Sequence, residues 1–297
     1  MSVLLIFVDG LGIGARGPHN PLHLLGEEAA PLAVFEDEEP RPPFGGTLAR
    51  TDARLGVEGR PQSASGQTTI LTGVNAPALL GKHKQGFPNE RLREVLREHS
   101  IFLQLKNANV GPLAFANAYS PRFFAARPRR VSATTVAVEA AGLPFRTAED
   151  LRAGRAVYHD FTNGFFAALG EDVPTRTPVE AAEILARVAS ENRFTLYEHF
   201  IADAAGHEQD AEFASRVLRE LASFVRETLA RLDLSRATVI LTSDHGNVED
   251  ISTRNHTLNQ VPTLAWGPGR ELVRARVRSL ADITPTIIEL LTREPEG

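Results

Sequence analysis

Six consecutive apolar residues, 3–8, open the chain, and the run stops abruptly at Asp9. A second run of that kind, 238–242, gives way to Ser243-Asp244-His245, and a less uniform one, 194–201, gives way to Ala202-Asp203. Short, wholly apolar, β-rich runs are the mark of strands buried on both faces, as in a parallel sheet. Between them the period lengthens to that of helices. Residues 88–99 carry Leu92, Val95 and Leu96 on one face, and 179–188 and 211–232 repeat the pattern strongly. A further helix begins over 147–151, a strand is predicted over 110–118, and 60–73 reads as a turn leading into a short helix whose buried side is Ile70-Leu71. The succession 194–201, 211–232, 238–242 is a strand–helix–strand unit. The expected fold is α/β: a three-layer core with a largely parallel central sheet flanked by helices, plus a small inserted cap. At 297 residues the chain is read as a single domain, 1–297, with the cap at about 112–180.

Ligands of open parallel sheets sit beyond the carboxyl ends of the strands. Asp9, Asp203 and Asp244 would therefore meet on one rim, where a bound cation removes the cost of unpaired carboxylates. His207 follows Asp203 by four residues, so one turn of helix or a tight loop aims both at one point. His245 adjoins Asp244, and His256 follows at loop distance. Packing or solvent is the better explanation of any one of these histidines taken alone. The set of Asp9, Asp203, His207, Asp244, His245 and His256 supplies enough oxygen and nitrogen donors for two divalent metals with open positions. In Gln62-Ser63-Ala64-Ser65-Gly66, a serine at a helix start meets free N–H groups and the positive end of the dipole, which favour a phosphate. A serine cap is the plain alternative for either hydroxyl, and nucleophilic use requires a metal or base.

Taken in order along the chain, Val8-Asp9-Gly10, Gln62–Gly66, Asp203-Ala204-Ala205-Gly206-His207, Ser243–Asn247 and His256-Thr257 leading to Val261-Pro262 resemble the alkaline phosphatase superfamily of metalloenzymes. The likeness is to its cofactor-independent phosphoglycerate mutase and phosphopentomutase branch. The resemblance implies one metal on Asp203, His207 and His256, and a second on Asp9, Asp244, His245 and the Ser63 oxygen. Ser63 is preferred to Ser65 as nucleophile because the family places a glycine three residues after it, as Gly66 stands here, and Thr72-Gly73 closes the same helix. The implied function is a metal-dependent phosphomonoester hydrolase or phosphotransferase working through a phosphoserine, on a small phosphorylated metabolite. The alternative is a phosphosugar or phosphoglycerate mutase returning the phosphate within the molecule. Both metals are expected to be Mn, with Zn as second choice and Mg third. Mutase-branch members are longer than this chain, which leaves room for only a small cap. Substrate contacts are sought at Lys82, His83 and Lys84, at Arg127, Arg129 and Arg130, and at His19, Asn20 and Asn163. Glu249-Asp250 is expected at the surface.

Composition removes several rivals. A net charge of −5 gives no reason to expect nucleic acid or an anionic membrane. The absence of cysteine excludes thiolate ligands, disulfides and a cysteine-derived sulfatase residue. A sulfatase Pro-Ser-Arg is also replaced by Ala64-Ser65-Gly66, which leaves a serine-type sulfatase or a phosphodiesterase as remote readings. The opening apolar run is too short for a signal peptide or a membrane span, so the expected compartment is the cytoplasm. Gly12-Ile13-Gly14-Ala15-Arg16-Gly17 matches a dinucleotide fingerprint in letter only. Asp9 precedes the glycines, and Pro18-His19-Asn20-Pro21 breaks the helix that would hold a pyrophosphate, so an oxidoreductase reading fails. A non-catalytic binding protein is disfavoured because every expected ligand type is retained.

Overall fold

The computed structural model describes residues 1–38, 42–126 and 128–293. In chain order, β1 (Ser2–Val8) is followed by α1 (Pro21–Leu25), β2 (Thr47–Thr51), α2 (Ser63–Thr72), α3 (Ala76–Leu80), α4 (Glu90–His99), α5 (Ile101–Asn107) and β3 (Leu113–Phe115). Next come α6 (Pro121–Ala126), α7 (Ala133–Ala140), α8 (Ala148–Arg152), α9 (Gly164–Ala168), α10 (Pro178–Ser190) and β4 (Phe194–His199). The chain closes with α11 (Ile201–Glu208), α12 (Ala211–Arg231), β5 (Ala237–Ser243), β6 (Val261–Trp266), α13 (Arg270–Arg276) and α14 (Ile283–Thr292). One six-stranded sheet runs in the order β2-β6-β5-β1-β4-β3. β1 pairs in parallel with both β4 and β5, and β3 in parallel with β4, whereas β6 is antiparallel to β5 and to β2. The three-layer α/β expectation is met.

Strand periodicity builds both cores. Leu4, Ile6 and Val8 of β1 face a cluster filled by α1, α10 and α12, while Val3, Leu5 and Phe7 face a second cluster filled by α2, α4, α5, α7, α13 and α14. Residues 3–8 of β1 are all buried, alternately on one face and the other, which is why the run carries no polar residue until it leaves the sheet. Its register sets Val8 beside His199 and Ser243, so β1, β4 and β5 end together at one edge. A smaller apolar cluster of Ala118, Ala148, Leu151, Ala156, Phe166 and Val173 lies between β3 and β4 in the chain.

The helices follow their sequence signals. α4 buries Leu92, Val95 and Leu96 and is capped by Asn89. α8 and α10 start from capping boxes at Thr147 and Thr177. Two strand boundaries differ from expectation. The strand predicted over 110–118 shrinks to Leu113–Phe115 because Asn117 replaces the backbone in the ladder. Its Nδ2 donates to the Glu198 carbonyl at 2.7 Å and its Oδ1 accepts from the Glu198 N–H at 2.9 Å. The run predicted as a strand over 194–201 ends at His199, and Asp203 rides the first turn of α11 rather than a strand tip. β6 contains Pro262, which the sheet admits because β6 pairs with β5 only from Leu264 onward.

Candidate metal centre

Three loops and one helix start converge at the shared edge of β1, β4 and β5. Asp9 leaves β1 through Gly10, which adopts φ +77° and lies so close to Asp203 that a Cβ would come within 2.8 Å of its Cα. Asp244 and His245 follow β5 and are fully buried. α2 arrives from the opposite side, and Gly66 permits its approach: a Cβ there would meet the Asp244 Cβ at 2.9 Å and its carbonyl oxygen at 3.0 Å. α11 brings Asp203 and His207 one turn apart, with His207 Nε2 3.3 Å from Asp203 Oδ2.

His207 Nδ1 lies 2.7 Å from the Arg254 carbonyl and His256 Nδ1 lies 2.9 Å from the Pro61 carbonyl. A carbonyl only accepts, so both hydrogens sit on Nδ1 and both Nε2 lone pairs point inward, 3.4 Å from one another. Two facing lone pairs repel unless an electrophile lies between them. With Asp203 Oδ1 3.6 Å from His256 Nε2, that pocket offers two nitrogens and a carboxylate.

The second grouping centres on His245 Nε2, which lies 3.1 Å from Ser63 Oγ, 3.2 Å from Asp9 Oδ1 and 3.5 Å from Asp244 Oδ2. A serine–histidine–aspartate relay would put the carboxylate on the other ring nitrogen. Here serine and both carboxylates crowd one nitrogen, which is how ligands gather around an ion. Asp203, His245 and His256 form one group whose donor atoms lie within 4.8 Å of each other, and Asp9, Asp244 and His245 form a second. Asp9 Oδ1, Asp244 Oδ2 and His245 Nδ1 are buried without hydrogen-bond partners. Divalent cations fit this donor set, since they satisfy such atoms together. The surroundings orient the ligand groups: Gln67 Nε2 donates to Asp9 Oδ2 at 3.1 Å, and Asn247 Nδ2 to Asp203 Oδ1 at 2.7 Å.

Electrostatics carry the same signature. Burial raises the Asp9 carboxyl and raises Asp244 well above the carboxylate range, with the neighbouring negative charges adding to it. Burial opposes charging His245, but Asp244, Asp9 and Asp203 outweigh it and lift the imidazole to about 10. Burial and the charge of His245 lower His256 to about 4. Without cations, the cluster holds itself together by retaining protons.

Ser63, the first residue of α2, is half-buried and faces His245. Ser65 is fully buried and engaged in the framework, donating to the Gln62 carbonyl and accepting from the Lys84 N–H. Of the substrate candidates, Lys84 is placed beside the start of α2 by that bond, while its ammonium donates to the Gln85 carbonyl. His83 Nε2 lies 3.3 Å from the Val57 carbonyl, Lys82 is exposed, and Arg129 and Arg130 are exposed on the loop before α7. Arg127 lies outside the described residues. Asn20 caps α1, Asn163 donates to the Pro174 carbonyl, and His19 is exposed.

Glu249 corrects the expected surface placement. It is 1% exposed because four donors converge on it: the Gly12 and Asn247 N–H groups, the Thr257 hydroxyl and the Asn259 amide. It ties the loop after β1 to the loops carrying His245 and His256. Gly12 is explained by the same contact, since a Cβ there would fall 2.1 Å from Glu249 Oε1. Glu198, which the sequence reading passed over, is a second buried carboxylate at this edge. Its Oε1 has no partner, Thr134 hydrogen-bonds its carboxyl, and burial together with Asp9 and Asp244 pushes its pKa well up. An acidic residue in the middle of a strand-like run was the available signal.

Residues 174–295 match the model of the metalloenzyme superfamily. A phosphopentomutase of Alkaliphilus metalliredigens is 22% identical over 280 residues, 89% of this chain and 68% of the relative. A 2,3-bisphosphoglycerate-independent phosphoglycerate mutase of Dinoroseobacter shibae is 33% identical over 96 residues. That match covers 30% of this chain and only 19% of the relative's length. Among solved structures, the PH0037 protein from Pyrococcus horikoshii superposes with a TM-score of 0.59 at 16% identity, covering 100% of this chain and 98% of that one. The alkaline phosphatase from the Antarctic bacterium TAB5 superposes with a TM-score of 0.52 at 14% identity, covering 98% of each chain. These two share the fold.

Proposed function

Because residues 174–295 match the model of the metalloenzyme superfamily, we propose that this chain is a metal-dependent phosphomonoester hydrolase or phosphotransferase that works through a phosphoserine at Ser63. The observation that carries the reading is the meeting of Ser63 Oγ, Asp9 and Asp244 around the single nitrogen His245 Nε2, next to the inward-facing Asp203, His207 and His256. Asp203, His207 and His256 would hold one divalent ion, and Asp9, Asp244, His245 and Ser63 the other. When bound, the two ions supply the positive charge that lowers the serine pKa and neutralises the departing oxygen. Mn is our first choice, then Zn, since the donors are carboxylate and imidazole without thiolate.

Ser63 Oγ attacks the phosphorus in line. The Oγ–P bond forms, the ester P–O bond breaks, and the alcohol departs. The start of α2 presents its positive dipole end to the phosphoryl oxygens during this step. Water then cleaves the Oγ–P bond to give inorganic phosphate, or a second hydroxyl of the same alcohol takes the phosphate and the result is a mutase. The phosphopentomutase match across 89% of the chain supports keeping the second outcome. The segment between β3 and β4, with its own small apolar cluster, is our choice for the cap that selects between them. Loops Lys82–Lys84 and Arg129–Arg130 remain our choices for contacts to a small phosphorylated metabolite.

The test is turnover of p-nitrophenyl phosphate by chelator-stripped protein resupplied in turn with Mn, Zn and Mg, beside a Ser63→Ala variant. Metal-restored turnover that the variant lacks is expected. Binding no metal at all would end the proposal. With ribose 1-phosphate as substrate, phosphorus NMR separates free phosphate from ribose 5-phosphate and so distinguishes hydrolysis from transfer.

A further inference from the structure

On the far side of the sheet from α2, a cavity of about 270 Å³ opens between the segment around α9 and the helix α12. Its walls are Phe161, Phe165 and Phe213, with Val217 and Ile201 behind them. His199 lines it from the end of β4, is 1% exposed, and makes no hydrogen bond from either ring nitrogen, although the His159 backbone passes nearby. One face of its ring stacks on Phe161 at 5.6 Å. A buried imidazole with both nitrogens unpartnered forgoes the compensation that buried polar groups normally receive. Nothing in the phosphoryl-transfer scheme uses it.

The polar rim is acidic on balance. Asp160 and Glu220 supply two carboxylates and Arg216 one guanidinium. Asp160 is fixed by the N–H groups of Asn163 and Phe165, and Arg216 lies over the Phe213 ring at 5.4 Å. Such a lining repels phosphate and carboxylate, so the cavity is not an annex of the substrate site. The exposed Phe165 ring beside these carboxylates favours an organic ammonium. The volume sets the body: a dry cavity of about 150 Å³ already holds benzene, so one ring with a short chain fits here.

We propose that this cavity is a binding site for a small, apolar-bodied organic amine, with its ring among Phe161, Phe165 and Phe213 and its nitrogen toward His199 and the Asp160–Glu220 rim. Phenethylamine and 3-phenylpropionate are the probes, being near in shape and opposite in charge. They are titrated into the intact protein by calorimetry and by NMR of the ¹⁵N-labelled histidine rings. The amine is expected to saturate with a Kd near about 1 mM or tighter and to shift the His199 ring nitrogens, while the acid does not bind. Ala168→Phe fills the mouth from an exposed position and is expected to weaken the amine at least tenfold. His199→Leu is expected to weaken it several-fold without altering the metal-dependent turnover of p-nitrophenyl phosphate. Equal binding of acid and amine, no saturable binding of the amine, or amine binding untouched by Ala168→Phe would each overturn the assignment.

Discussion

At the scale of single residues, the two serines at the start of α2 separate by what they already do. Ser65 bridges the Gln62 carbonyl and the Lys84 N–H in a fully buried position. Ser65→Ala strands the Lys84 donor and is expected to cost about 1–3 kcal/mol of stability, read from denaturant midpoints, while phosphatase turnover persists. Ser63→Ala leaves stability nearly unchanged and is expected to lower kcat at least about a thousandfold, on the scale seen when a covalent nucleophile is removed. Turnover lost in the Ser65 variant and kept in the Ser63 variant would reverse the assignment. His199 gives the pH prediction. Burial lowers its imidazole from the ordinary 6.5 to about 3, so the folded state holds it neutral. The unfolded chain takes up a proton as pH falls through 6.5 and the folded chain does not. The stability associated with neutral His199 is therefore complete above pH 6.5 and lost progressively toward about 3. The melting temperature should fall between pH 7 and pH 5, and His199→Leu should flatten that fall. An equal slope in the variant would place the acid sensitivity elsewhere.

At the scale of elements, the site depends on how closely α2 seats against the loop after β5. Gly66→Ala adds helix propensity worth up to about 1 kcal/mol, yet its methyl meets the Asp244 Cβ and carbonyl oxygen. Neither is a flexible tip, so helix or loop must move. The variant is expected to keep its helix content while losing metal affinity by at least about tenfold, the usual effect of disturbing groups that position ligands; unchanged Mn affinity would show that the seat is slack. These elements were legible in the sequence to different degrees, for physical reasons. β1 and β5 stand out because burial on both faces excludes charged residues and favours β-branched ones, and α4, α10 and α12 because one face is wet. β3 was overextended because a side chain, Asn117, completes its ladder, a substitution that residue type alone does not announce. β2 and β6 escaped notice: β2 is short and alternates with polar residues, and β6 carries a proline tolerated only through its staggered pairing. Asp9 and Asp244 stood out as candidates because each is polar where an apolar run ends, whereas Asp203 and His207 lie within α11 and were picked out by their four-residue spacing. Glu249 was misread because its burial comes from three donors spread along its own long loop and one from the distant loop after β1, which no short pattern encodes.

At the scale of the whole molecule, the folded state pays for its site in stability when no cation is present. Three carboxylates and three imidazoles are packed at one sheet edge, several of their atoms without partners, and burial raises Asp9 and Asp244 against ionisation. Removing one of those charges should relieve the metal-free protein and impair the loaded one. Asp244→Asn keeps an oxygen to accept from the Gly10 N–H, seen at 3.4 Å, and replaces a carboxyl that burial holds against ionisation. In chelator-treated samples the variant is expected to melt above the parent, because a neutral amide at that buried position needs neither a retained proton nor a buried charge. The parent should gain on adding Mn or Zn: a ligand present at a hundred times its Kd contributes about 2.7 kcal/mol, or roughly 4 °C for a domain of this size. Asp244→Asn should gain far less, so the two melting curves exchange order between chelator and metal. That crossing separates a binding site from an acidic framework. A structural role for Asp244 would make the variant the less stable of the two under both conditions, and an inert one would leave both gains equal.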